Sequence, residues 1–145
     1  MPDGDEQSGM SYLHEIQMKG KGANPFFCLL GIEPVSWGEG CARLEMEVRS
    51  DMTNGEGWLQ GGMYTALADE AMALAIYTLL EDDQTIATIS CTTHFLRGVK
   101  HGLIAAEGKV IRQGRQIIFA EGIVSSGGGE TELARCSASF AVRRS

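Results

Sequence analysis

The chain has 145 residues, 43% hydrophobic and 21% charged, with a formal charge of −7. This is room for one domain with a substantial core, and the composition excludes a disordered or fibrous protein. The negative charge argues against a nucleic-acid partner, whose binding needs clustered cations, and Asp69 and Glu70 interrupt the longest apolar run, so no membrane association is expected.

The first nine residues are acidic and polar, without the basic start and apolar stretch of a secretory signal, so a cytoplasmic location is expected. Residues 1–24 read as a loose N-terminal arm, with a short helical piece around Tyr12 to Met18, and residues 25–145 as one domain. Cys28, Cys41, Cys91 and Cys136 lack the close spacing of a zinc site. In a reducing compartment they are expected as free thiols.

After Pro25, the apolar Phe26, Phe27, Leu29, Leu30 and Ile32 open the buried part. Ala42, Leu44, Met46 and Val48 then alternate with Arg43, Glu45, Glu47 and Arg49, the period of a strand with one face in water. Gly61 to Leu80 is rich in Ala, Leu and Met and reads as a long helix. Its apolar residues run all round it, so it must be enclosed on most sides. Further strands are expected over 86–96, 103–112, 116–124 and 132–142, separated by Gln113-Gly114-Arg115 and Ser126-Gly127-Gly128-Gly129. Short connections favour antiparallel neighbours. The result is an α+β domain in which a curved antiparallel sheet wraps one central helix.

Gly61 and Gly62 open that helix, where backbone N–H groups lack intrahelical partners and the dipole adds positive charge. Such an end can hold a carbonyl oxygen as it becomes negative, although a glycine pair also suits a tight entry into a helix. An unpaired buried carboxylate is expensive, so Asp69 either serves a reaction or is matched by a cation or backbone group. Helical geometry puts Gly61, Thr65, Asp69 and Met72 on one face, with Glu70 turned away. Eight residues separate Gly61 from Asp69 by roughly 12 Å along the axis, too far for both to touch one reacting atom. Two antiparallel copies of the helix would bring Gly61 of one against Asp69 of the other, which predicts a site shared across a dimer.

Between Arg97 and Arg115, the cations Arg97, Lys100, Lys109, Arg112 and Arg115 face one acid, Glu107. This stretch either receives a phosphorylated ligand or forms the solvated faces of two strands and a turn.

Asn54, Gly57, Leu59-Gln60-Gly61-Gly62 and Ala66-Leu67-Ala68-Asp69, with Phe95-Leu96-Arg97-Gly98-Val99 and the Gly114-Arg115 turn, resemble the hotdog-fold acyl-CoA thioesterases of the phenylacetate-pathway and 4-hydroxybenzoyl-CoA type. The resemblance covers about 24–142. It implies a hotdog fold, a five- to six-stranded antiparallel sheet around the helix, and active sites between subunits of a dimer or dimer of dimers. It implies Asp69 as general base or nucleophile, Gly61 as the amide that polarises the thioester carbonyl, and Asn54 as the residue placing water or thioester. Gly62 and Thr88 would lie beside the substrate, and Arg97 and Arg115 would meet coenzyme A phosphates. Coenzyme A would come as part of the substrate, with no separate cofactor or metal.

Gln60 departs from the pattern, which usually has His there. Its amide can donate a hydrogen bond but cannot exchange protons near neutral pH. A non-catalytic acyl-CoA or lipid-binding protein is therefore the alternative. A hydratase would need a histidine beside the helix, and His94 and His101 read as ordinary strand and turn residues.

Overall fold

A computed structural model of the chain describes residues 11–144. Helix α1 (Tyr12–Lys19), a 3₁₀ turn (Gly20–Ala23) and α2 (Pro25–Leu30) precede strands β1 (Glu33–Gly38) and β2 (Cys41–Val48). A second 3₁₀ turn (Ser50–Met52) and a loop lead to α3 (Gly61–Tyr77). Strands β3 (Gln84–Phe95), β4 (Gly102–Gln113), β5 (Ile117–Ser126) and β6 (Glu132–Arg144) complete the fold.

The strands form one six-stranded antiparallel sheet in the order β1-β2-β4-β5-β6-β3. It packs around α3, whose Leu67, Met72, Leu74 and Ile76 are fully enclosed, each burial contributing about 1.5–3 kcal/mol. Close approach of helix to sheet depends on glycine. Gly108 on β4 pairs with Gly122 on β5, and a Cβ on Gly108 would lie 2.6 Å from the Met72 backbone nitrogen. These two positions seat the middle of α3, and so fix where Asp69 emerges.

Three expectations need correction. Residues 12–24 are not a loose arm. Ser11 caps α1 by accepting from the His14 N–H, and Ile16 is only 1% exposed within the core; a single anchoring apolar residue gave too little periodicity to show this. The first ten residues of the expected arm lie outside the described residues. Strand β1 was not anticipated, because Pro34, Trp37 and two bordering glycines obscure an edge strand with no fully buried residue. Finally, α3 ends at Tyr77, not Leu80: the Thr78 hydroxyl donates to the Ala75 carbonyl at 2.6 Å and accepts from the Gly40 N–H at 2.8 Å.

Candidate functional site

Helix α3 lies along β3 in the opposite direction. Gly61 packs against the Phe95 ring, with 3.5 Å between its Cβ position and the ring carbons. One turn on, the Thr65 and Thr93 hydroxyls are 2.7 Å apart. A further turn on, Thr88 Oγ1 donates to Asp69 Oδ1 at 3.0 Å. The β3–β6 register slips between Thr88 and Ser90, and such a bulge re-aims neighbouring side chains.

Asp69 is half-buried. Burial pushes its carboxyl above the usual carboxylate range, and the Thr88 bond opposes this less strongly. No salt bridge among the described residues reaches Asp69 or Glu70. A cation partner, one of the alternatives open for Asp69, is therefore absent among the described residues.

Glu70 is not turned away from Asp69. Both line a cavity of about 290 Å³ with Tyr12, Asn24, Ala73, Tyr77, Ile86, Thr88 and Phe140. Burial, then the nearby Asp69 charge, push Glu70 up to about 7, against the Asn24 hydrogen bond. The flat reading of the helical wheel missed this, because α1 and the start of α2 close the cavity from a segment read as an arm. Only the Asn24-Pro25 pair carried a signal, that of an N-cap followed by proline.

At the other end of α3, Gln60 is the N-cap, exposed and with an extended backbone, and its side chain makes no capping bond. Gly61 is partly buried and Gly62 exposed, with open space where its Cβ would stand. Asn54 Oδ1 accepts from the N–H groups of Glu56 (2.9 Å) and Trp58 (3.1 Å). Its carbonyl oxygen thus shapes the loop before the helix.

The basic stretch is dispersed. The Arg97 N–H binds the carbonyl of Leu133 at the start of β6, whereas Gln116, next to Arg115, binds Val142 near its end. Nine strand residues put these positions roughly 30 Å apart within one chain. Lys100 sits over the Trp58 ring, 4.6 Å from its centroid. Arg112 and Arg115 border a shallow hollow of about 500 Å³ with Phe119. Another hollow of about 500 Å³, at Trp37, Arg43 and Lys109, lies on the sheet away from Asp69. His94 and His101 are exposed and take no part in the Asp69 cavity. The four cysteines are free thiols. Among the described residues no group of His, Cys, Asp and Glu is arranged to hold a metal, and no helix is long and apolar enough to cross a membrane.

A half-buried carboxylate on a glycine-opened helix, inside an antiparallel sheet, defines a class. The thioesterase superfamily model matches residues 56–133, and the chain belongs to that superfamily. Gln60, Gly61, Gly62, Asp69, Thr88, Arg97 and Arg115 fall within the match; Asn54 lies just before it. Among individual proteins, the acyl-coenzyme A thioesterase PaaI of Escherichia coli is 37% identical over 90 residues, 60% of this chain and 61% of the relative. The match thus spans less than two thirds of that relative's length. The 1,4-dihydroxy-2-naphthoyl-CoA hydrolase of Listeria monocytogenes is 28% identical over 86 residues, 59% of this chain and 70% of the relative. A solved thioesterase from Haemophilus influenzae superposes with a TM-score of 0.77 at 26% identity, covering 83% of this chain and 84% of that one. A thioesterase family protein from Silicibacter pomeroyi reaches 0.83 at 21% identity, covering 93% and 100%, which speaks for the fold alone. The fold is the hotdog fold.

Proposed function

We propose that the protein hydrolyses an acyl-CoA thioester to a carboxylate and free coenzyme A, in a site shared between two copies of the chain. The carrying observation is Asp69: a half-buried carboxylate without a cation, oriented by Thr88 and bordering a cavity. The names of the Escherichia coli and Listeria relatives support an acyl-CoA substrate. Coenzyme A is part of that substrate, and no separate cofactor is invoked.

Asp69 takes a proton from water as the water oxygen attacks the thioester carbonyl carbon. The carbonyl oxygen becomes negative and is held by the Gly61 N–H at the positive end of α3. The C–S bond then breaks, coenzyme A leaves as thiolate, and the proton passes to it. In the nucleophilic variant, Asp69 attacks the carbon itself and water resolves the mixed anhydride. Gln60, exposed beside Gly61, can donate a second hydrogen bond to the oxygen but can carry no proton.

Two copies are needed because Gly61 lies at the Phe95 end of β3 and Asp69 at the Thr88 end. Strand β3 is an edge of the sheet, with Ile89 55% and Phe95 57% exposed. Such an edge is a template for a further strand. Pairing β3 antiparallel with β3 of a second copy brings each Phe95 end toward the partner's Thr88 end. It unites Gly61 with the partner's Asp69, and draws Arg97 toward the partner's Arg115, where both can meet the nucleotide phosphates. Exposed Ile111 and Phe119 give this dimer an apolar surface for pairing into a tetramer.

The test is thiol release from short, medium, long and aromatic acyl-CoAs, with Asp69→Asn alongside. No release from any of them, or full activity in Asp69→Asn, contradicts the proposal. The second reading, a non-catalytic acyl-CoA-binding protein, is favoured only by Gln60; tight binding by calorimetry without turnover would support it.

A further inference from the structure

Part of the lining of the Asp69 cavity, made by Tyr12, Asn24 and Glu70, is polar in a way that the hydrolytic step does not use. Asn24 Nδ2 donates to the Tyr12 hydroxyl oxygen at 2.8 Å and to Glu70 Oε1 at 3.3 Å. Its Oδ1 accepts from the N–H groups of Phe26 (2.9 Å) and Phe27 (3.4 Å), capping α2. The cap fixes the oxygen, so the nitrogen is held toward the cavity wall. Tyr12 is braced edge-on against Tyr77, with 4.9 Å between ring centroids.

Asn24 is fully engaged by these four bonds, whereas Tyr12 and Glu70 keep hydrogen-bonding capacity. The Tyr12 oxygen accepts from Asn24, which leaves its own proton to donate. Glu70 Oε2 takes no part in the Asn24 bond. With Glu70 pushed up to about 7, it exists near neutral pH in both a donating and an accepting form. A hydroxyl group satisfies either, because it donates and accepts.

Size sets the other limit. At about 30 Å³ per water-sized group, a cavity of about 290 Å³ holds roughly ten non-hydrogen atoms. A short acyl chain fills it with its distal end at the wall. A terminal methyl there leaves the Tyr12 and Glu70 polar atoms desolvated and unpaired, which is the costly case. A terminal carboxylate meets Asp69 and Glu70, with no cation to offset it.

Building on the thioesterase reading, we propose that Tyr12, Asn24 and Glu70 form a specificity-determining wall, which selects short acyl groups ending in an uncharged hydroxyl over those of equal length ending in a methyl or a carboxylate. The test compares kcat/KM for hexanoyl-CoA, 6-hydroxyhexanoyl-CoA and adipoyl-CoA in the full chain, by thiol release. The 6-hydroxyhexanoyl ester is expected to be favoured by about tenfold or more over both others. Tyr12→Phe and Glu70→Leu are each expected to reduce its advantage over hexanoyl to less than about threefold. Equal kcat/KM for the three esters overturns the wall and leaves hydrolysis standing. So does a preference that survives in Tyr12→Phe, a variant that keeps the ring packing. No turnover of any ester overturns the hydrolytic reading, and this inference with it.

Discussion

Thr88 Oγ1 donates to Asp69 Oδ1 at 3.0 Å, from a strand whose register slips just beyond Thr88. That bond favours the charged carboxylate, whereas burial disfavours it and wins. Thr88→Val removes the favourable part alone. Asp69 must be ionised to act as base, so the acid limb of the pH–rate profile is expected to move to higher pH. An unmoved limb would separate Thr88 from the chemistry.

Asp69→Asn is expected to lower kcat/KM by at least about a hundredfold without loss of stability. The folded-state pKa of Asp69 is raised, so its charge at neutral pH opposes folding, and an amide removes that opposition. The checks are thiol release and a thermal melt on the same preparation. Lower activity with an equal or higher melting temperature is the expected pair.

Glu70 carries the larger shift, from 4.5 up to about 7. A raised folded-state pKa means its contribution is fully present below about pH 4.5 and is lost as pH rises through about 7. Thermal melts from acid to mildly alkaline pH should show the native chain losing stability across neutrality relative to Glu70→Gln. Parallel curves would contradict this.

Gly108→Ala is expected to destabilise by about 1–3 kcal/mol, because the added Cβ would stand 2.6 Å from the Met72 backbone nitrogen. Denaturant unfolding measures this. As α3 moves, Asp69 moves, so activity should fall further than stability alone explains.

Much of this architecture was legible from alternation and helix length. The strand at Ala42 to Val48 follows from alternation, the enclosed α3 from a run of helix formers that is apolar all round, and the later four strands from the turn residues that separate them. Strand β1 escaped, and so did the docking of the expected helical piece α1, because their burial is sparse: β1 is an edge, and Ile16 is the one buried residue of α1. Asp69 and Thr88, singled out by helix position and by resemblance, are hydrogen-bonded to each other, with Gly61 about two turns away along α3. The Tyr12–Asn24–Glu70 network was not legible, since it joins residues 46 positions apart and no local pattern encodes that contact. Asn54 lies in the loop before α3, and its side-chain oxygen accepts from that loop's own N–H groups.

A shared site takes Gly61 from one chain and Asp69 from its partner, so two inactive variants should complement each other when mixed. Gly61→Pro removes the N–H at the first helical position, where proline is tolerated, after Gln60 with φ −62° and ψ 136°, a conformation that suits the residue before proline. Gly61→Pro and Asp69→Asn homodimers should each be nearly inactive. Unfolded and refolded together in equal amounts, they form mixed dimers in which one site has both native residues. Recovery of about a quarter of native thiol-release activity, the statistical fraction of intact sites across a twofold interface, is the expected result; activity no greater than that of the two variants measured separately would contradict a shared site.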